Sequence, residues 1–159
     1  IMGTFSKSLA SLGGFIASDA DTIEYLKHHS RSLIFSASMT PANAAAVLAA
    51  LKIMHHEPER IERLWRNTGM MKEGLKSLGF NLGASQTPIL PVFCYEDERT
   101  LRMAMRLHQE GVFVNSVLPP GVPPNKCLIR ISLMATHTAN QIEMALEKLK
   151  KVGKELGLI

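Results

Sequence analysis

The chain reads as an α/β protein in two lobes, and three features of the sequence carry that reading. Residues 40–78 hold two stretches in which apolar residues recur at helical steps. From Ile89 onward the pattern changes to strand, helix, strand, strand and helix. Within that second region the run CLIRISL at 127–133 alternates with a two-residue period, as a strand with one buried face does.

Length and composition agree. A chain of 159 residues with 46% hydrophobic side chains has enough apolar material for one ordinary domain or two small lobes. No apolar run approaches the roughly 20 residues of a membrane span, and the start lacks the charged and apolar blocks of a signal peptide. The expectation is a cytoplasmic chain. The formal charge of +4 is spread over helices that also carry acids, which describes a solvated face and does not argue for nucleic acid.

Residues 13–18, GGFIAS, read as a short buried strand entered through glycines. Asp19 and Asp21 then supply the acids of a helix start, and a helix through Ile23, Leu26 and Lys27 follows. The stretch 30–38, SRSLIFSAS, leads to Thr40-Pro41, a helix cap with proline at the first helical position. An alanine-rich helix is expected over 42–54. Glu57-Pro58 breaks the chain, and Ile61, Leu64, Trp65, Thr68, Leu75 and Leu78 mark a second helix closed by Gly79. The lobe boundary is expected inside this helix, around 69–79, dividing the chain into 1–74 and 75–159.

In the second lobe, 81–86 is loop and 89–95 a strand, placed near an edge by Pro91. Residues 97–110 form an amphipathic helix with Leu101, Ala104, Met105 and His108 inward. A short strand is expected at 112–114, then a stiff proline-rich connection, LPPGVPP at 118–124. In CLIRISL, Cys127, Ile129, Ile131 and Leu133 share a buried face and leave Leu128, Arg130 and Ser132 on the other. Thr138 and Gln141 make a capping box for a last helix with Ile142, Ala145, Leu146, Leu149, Val152 and Leu156 inside. His137 just before it is explained as well by local hydrogen bonding as by a site.

Cys94 and Cys127 lie in apolar strand-like runs without CxxC spacing and read as buried thiols. The pairs His28-His29 and His55-His56 fall near helix ends, where histidine meets the negative end of the dipole. Adjacent side chains on a helix diverge, so no metal site is expected.

Two residues stand out chemically. Lys7 lies in GTFSKSLASLGG at 3–14, among small hydroxyl residues and just before a glycine pair. An amine becomes a nucleophile or base near neutral pH when burial or nearby cations lower its pKa, and Phe5, Leu9 and Leu12 are expected to wall it in. A phosphate-binding P-loop is excluded, since Ser6 and Ile1 stand where it needs glycine. Arg130 projects from mid-strand, and its guanidinium fork suits a carboxylate. On the residues alone that carboxylate is a substrate's or a structural acid's.

GTFSKSLASLGG, together with FSASM at 35–39, GVFVN at 111–115 and IRISLMATHT at 129–138, resembles the α-oxoamine synthases. These are fold-type I pyridoxal-phosphate enzymes that join an amino acid to an acyl thioester with loss of carbon dioxide. The resemblance implies that 1–74 is the tail of the large cofactor domain and 75–159 a small α+β C-terminal domain. It implies that Lys7 carries pyridoxal 5'-phosphate and later takes the Cα proton, and that Thr4 helps hold the cofactor. Ser36 or Ser38 touches the cofactor phosphate of the neighbouring subunit, since Ala37 stands where many relatives have threonine. Arg130 grips the amino acid's carboxylate. The wording is most like members that use serine and a long acyl chain, and siblings that use glycine or alanine keep the same motifs. An aminotransferase and a noncatalytic interaction domain are the more distant rivals, and Lys7 speaks against the second. The implied partners are an amino acid, acyl-CoA or an acyl carrier protein, and a second copy in a homodimer, with membrane contact only through a lipid product. The resemblance also implies a longer N-terminal part that supplies a ring-stacking residue and an aspartate for the pyridine nitrogen, without which the chain is catalytically silent.

Overall fold

The computed structural model describes residues 1–159, which divide into two compact units, Ile1–Pro58 and Glu59–Ile159.

Unit 1 begins with a two-stranded antiparallel ribbon, β1 (Met2–Thr4) and β2 (Gly14–Ile16), in register Gly3↔Phe15. All of β2 is exposed, which corrects the expected buried strand. A ribbon of two strands has only one neighbour per strand and no sheet face to bury. Helices α1 (Ala20–His29), α2 (Arg31–Ile34) and α3 (Pro41–His56) follow. The Asp19 carboxylate accepts from Thr22 N at 2.9 Å, and the Thr40 hydroxyl accepts from Asn43 N at 3.4 Å, so α3 starts on the cap read from the sequence and α1 on one of the acids expected at its start. His29 and His56 each bond through Nδ1 to a carbonyl one turn back, Tyr25 and Lys52, which is the helix-end role expected of them. Phe5 and Val47 alone are buried in this unit.

Unit 2 opens with α4 (Glu59–Ser77) and continues with β3 (Ile89–Tyr95), α5 (Asp97–Gln109), β4 (Asn115–Val117), β5 (Cys127–Ser132) and α6 (Ala139–Glu155). The sheet order is β3-β5-β4, antiparallel throughout, so β3 lies at an edge as Pro91 required. Leu90, Val92, Ile129 and Ile131 of the sheet pack with Met71 and Leu75 of α4, Met103 and Leu107 of α5, and Ile142, Leu149 and Val152 of α6. Each fully buried aliphatic side chain of this kind contributes about 1.5–3 kcal/mol relative to exposure.

The division at Pro58/Glu59 puts α4 wholly in unit 2, whereas the sequence places a lobe boundary inside this helix. Its burial is uneven: 59–66 holds no buried residue, and Asn67, Thr68, Met71 and Leu75 are buried. Two local expectations need correction. The inner stripe of α5 is Thr100, Met103 and Leu107, while Leu101 and Met105 are exposed. The Thr100 hydroxyl donates to the Glu96 carbonyl at 2.7 Å, so a polar residue enters the core satisfied and hydropathy points to the wrong face. The short strand lies at 115–117 and not at 112–114. Val112 N donates back to the Leu107 carbonyl at 2.8 Å to close α5, and the ladder starts only at Asn115↔Arg130.

Candidate functional site

In unit 1 the ribbon presents the loop 5–13 that carries Lys7. Phe5 N donates to the Gly13 carbonyl at 3.0 Å, Ser11 N to the Phe5 carbonyl at 2.9 Å, and Ala10 N to the Lys7 carbonyl at 3.0 Å. The last bond closes a tight turn with Lys7 at its first position. Ala10 takes φ 48, a left-handed conformation that costs a residue with a Cβ roughly 1 kcal/mol or more. Such outliers concentrate where geometry serves a site. Gly13 has φ +109, and a Cβ on Gly14 would lie 2.7 Å from the Gly3 carbonyl oxygen, so the glycine pair is what lets the loop return to the ribbon.

The walls expected around Lys7 do not form. Phe5 is buried and stacks on Phe15 with centroids 5.9 Å apart, but Leu9 is half-buried, Leu12 is 69% exposed and Lys7 itself is exposed. The turn directs Lys7 outward while Phe5 goes in. Thr4 Oγ1 and Ser6 Oγ are 3.3 Å apart beside it. Thr4 also lines an apolar groove of about 540 Å³ with Ile16, Ile23 and Leu26.

Ser36 and Ser38 lie in the exposed link between α2 and α3. The lysine loop and this link adjoin at their bases, where the Ser11 hydroxyl donates to the Asn43 carbonyl at 3.1 Å and Met39 lies against Gly13. Phe35, next to Ser36, is 80% exposed. The lysine loop and this link therefore bring the Lys7 amine and a set of small hydroxyls to an exposed surface. An aldehyde needs an amine and a phosphate needs donors, so this residue set fits a phosphorylated aldehyde cofactor.

Arg130 belongs to unit 2, at the centre of the middle strand β5, opposite Pro91 of β3 and Asn115 of β4. It is exposed, as is Ser132, while Cys127, Ile129, Ile131 and Leu133 are buried, which is the alternation the sequence predicts. Leu128, expected on the open face with Arg130 and Ser132, is buried instead, which corrects that part of the alternation. No acid of the chain pairs with Arg130, so its fork is open.

Several other titratable groups of unit 2 make structural bonds. Glu110 accepts from Lys148 at 3.1 Å and Lys151 at 2.6 Å, and these bonds pull its carboxyl down to about 2. Arg106 grips Glu155 at 2.9 and 3.0 Å, tying α5 to α6. Both cysteines are free and buried. Burial pushes the Cys94 thiol up to about 11, and the hydrogen bond from Cys127 Sγ to Asp97 Oδ1 at 2.8 Å raises the other, so neither is a nucleophile. His137 accepts from Met134 N at 3.2 Å, the local bonding anticipated for it. Sequence reasoning missed the arginine row of α4, Arg60, Arg63 and Arg66, whose three-residue spacing was the available signal.

The chain is 57% identical over 155 residues to a serine palmitoyltransferase of Sphingobacterium spiritivorum, a match covering 98% of this chain and 39% of that protein. It is 44% identical over 158 residues to the 8-amino-7-oxononanoate synthase of Thermosipho melanesiensis, covering 99% and 40%. A solved structure of SPT with a PLP internal aldimine superposes with a TM-score of 0.92 at 34% identity, covering 99% of this chain and 40% of that one. The chain thus spans about two fifths of the length of these relatives. The family model for aminotransferase class I and II matches residues 1–149, and the chain belongs to that family.

Proposed function

We propose that the chain contributes the lysine-bearing and carboxylate-binding parts of a pyridoxal-phosphate-dependent acyltransferase, which condenses serine with a long-chain acyl thioester and releases carbon dioxide. The observation that carries this reading is the 57% identity to a serine palmitoyltransferase across nearly the whole chain. The lower identity to an 8-amino-7-oxononanoate synthase, 44%, makes a sibling reaction on another amino acid the second reading.

Lys7 holds the cofactor through its amine, with Thr4 and either Ser36 or Ser38 on the cofactor's polar groups. The electron sink is the chemistry that pyridoxal phosphate supplies when bound. As a free amine, Lys7 Nζ would take the proton from the amino acid's Cα. Arg130 holds the substrate carboxylate with two parallel N–H bonds, which fixes how the Cα bonds are turned. The open fork of Arg130 supports that role. In the whole protein, 1–74 belongs to the large domain and 75–159 to the small one, with α4 shared between them. That residues 59–66 of this helix hold no buried residue supports sharing it. A homodimer in which the 36–38 segment reaches the neighbour's phosphate site is supported by the exposure of Phe35. The acyl donor is acyl-CoA or an acyl carrier protein. No helix is long and apolar enough to cross a membrane, and we assign the enzyme to the cytoplasm, touching membranes only through its lipid product.

The test is carbon dioxide release from serine and palmitoyl-CoA by the whole protein. Turnover with serine that exceeds turnover with alanine or glycine, and is lost in Lys7→Ala, is expected. Unchanged turnover in Lys7→Ala contradicts the assignment. Arg130→Lys should raise the serine concentration needed for half-saturation, since an ammonium cannot reproduce the fork. A wild-type serine dependence in that variant removes Arg130 from the site.

A further inference from the structure

The segment GVFVN ends on Asn115, which starts β4 and pairs with Arg130 across the ladder. Partners in an antiparallel ladder point to the same face with Cβ atoms about 4.5–5.5 Å apart, so Asn115 stands beside the arginine on the open side of the sheet. Both side chains are exposed, and neither makes a hydrogen bond or ion pair within the chain. The other neighbours of Arg130 on that side are Pro91 across the opposite ladder, and Leu128 and Ser132 along its own strand. Proline and leucine have no polar side-chain atom to offer. Ser132 lies two residues on, about 7 Å along the strand, which leaves Asn115 the nearest side-chain acceptor.

The kind of acceptor matters. A guanidinium carries five N–H donors, and a carboxylate held in its fork takes two of them. An aspartate at 115 would itself be that carboxylate, closing a cross-strand ion pair and neutralising the arginine within the chain. An amide oxygen accepts one N–H, leaves the positive charge uncancelled and leaves the rest of the fork free. Arginine also has one of the most mobile side chains, and it loses that freedom when it grips a ligand. A neutral acceptor beside it on a paired strand limits the directions in which the fork can settle.

We propose that Asn115 is a positioning residue for Arg130. Its Oδ1 accepts one guanidinium N–H when the fork closes on a carboxylate, and its neutrality keeps the fork open to an anion from outside the chain. This role rests on the proposed grip of Arg130 on the amino acid's carboxylate.

Calorimetric titration of the whole protein, loaded with pyridoxal phosphate, with serine and with 2-aminoethanol, the matching amine that lacks a carboxylate, tests the assignment. Asn115→Asp should weaken serine binding by about tenfold or more, because the new carboxylate fills the fork. Asn115→Leu should weaken it by about three- to tenfold, because the orienting bond is lost. Both variants should bind 2-aminoethanol within about twofold of wild type, which a merely structural role would not produce. In turnover they should raise KM for serine more than they lower kcat. Combined with Arg130→Ala, Asn115→Leu should have no further effect on serine, since the group it orients is gone. Serine binding of wild-type strength in Arg130→Ala overturns the grip of Arg130 and the role of Asn115 with it. Serine binding that falls in Arg130→Ala but is unchanged in Asn115→Asp or in Asn115→Leu overturns the role of Asn115 alone, as does an equal loss of 2-aminoethanol binding.

Discussion

The two units are of the same chain and similarly helical, but they treat their apolar residues in opposite ways. In unit 2 the sheet and three helices close over a continuous core in which Leu75, Leu90, Met103, Leu107, Ile129 and Leu149 are fully buried. In unit 1, Leu33, Phe35, Leu48, Leu51, Ile53 and Met54 all stay exposed, and helix α3 buries Val47 alone. Exposed apolar surface on that scale marks a surface made to be covered. Unit 2 is therefore stabilised from within, and unit 1 carries Lys7 on a surface whose own packing contributes little.

Separating the units gives the largest expected effect. Residues 59–159 expressed alone should unfold in one cooperative thermal transition, whereas 1–58 alone should show none. A cooperative transition from 1–58 would dissolve the contrast. Next in size, Leu149→Ala should cost about 2–5 kcal/mol in urea unfolding of unit 2, through lost burial and a cavity. Leu48→Ala in unit 1, 61% exposed, should change stability by no more than about 0.5 kcal/mol. Equal effects would show that the exposed face of α3 is packed in solution.

Smaller effects sharpen the account of unit 2. Thr138→Ala removes the oxygen that accepts from Gln141 N and half of the capping box, at a cost of roughly 1 kcal/mol. Glu110 provides a pH signature. Its pKa is lowered from 4.5 to about 2 by Lys151 and Lys148, so its contribution is fully present above about 4.5 and is lost as the pH falls from there through about 2. Wild type and Glu110→Gln should therefore differ in urea midpoint at neutral pH and converge on acidification. A difference that holds constant down to the lowest pH would remove Glu110 as its source.

What was legible in the sequence follows the same contrast. Helix starts at Asp19, Thr40 and Thr138 were readable because a cap is a local bond between residues three apart. The alternation of CLIRISL was readable from Ile129 onward, where Arg130 and Ser132 are exposed between buried residues, but not at Leu128, which is buried with its neighbours. The inner stripe of α5 was not, since Thr100 is buried through a bond to its own backbone and Leu101 is left outside. The ribbon at 14–16 was misread as buried because Phe15 and Ile16 are apolar, and hydropathy does not tell whether a sheet exists to cover them. At the candidate site, GTFSKSLASLGG pointed to Lys7 and its glycines, yet not to Phe5 turning inward while the lysine turns out. That depends on the Ala10 turn, which has no hydropathy signal.

The central claim is that Lys7 carries the cofactor, and trapping tests it most directly. The whole protein is incubated with pyridoxal phosphate, reduced with borohydride to fix the cofactor to the lysine it occupies, and mapped by mass spectrometry. The account predicts label on Lys7, absent in Lys7→Ala. Label confined to another lysine, or undiminished in that variant, would contradict it.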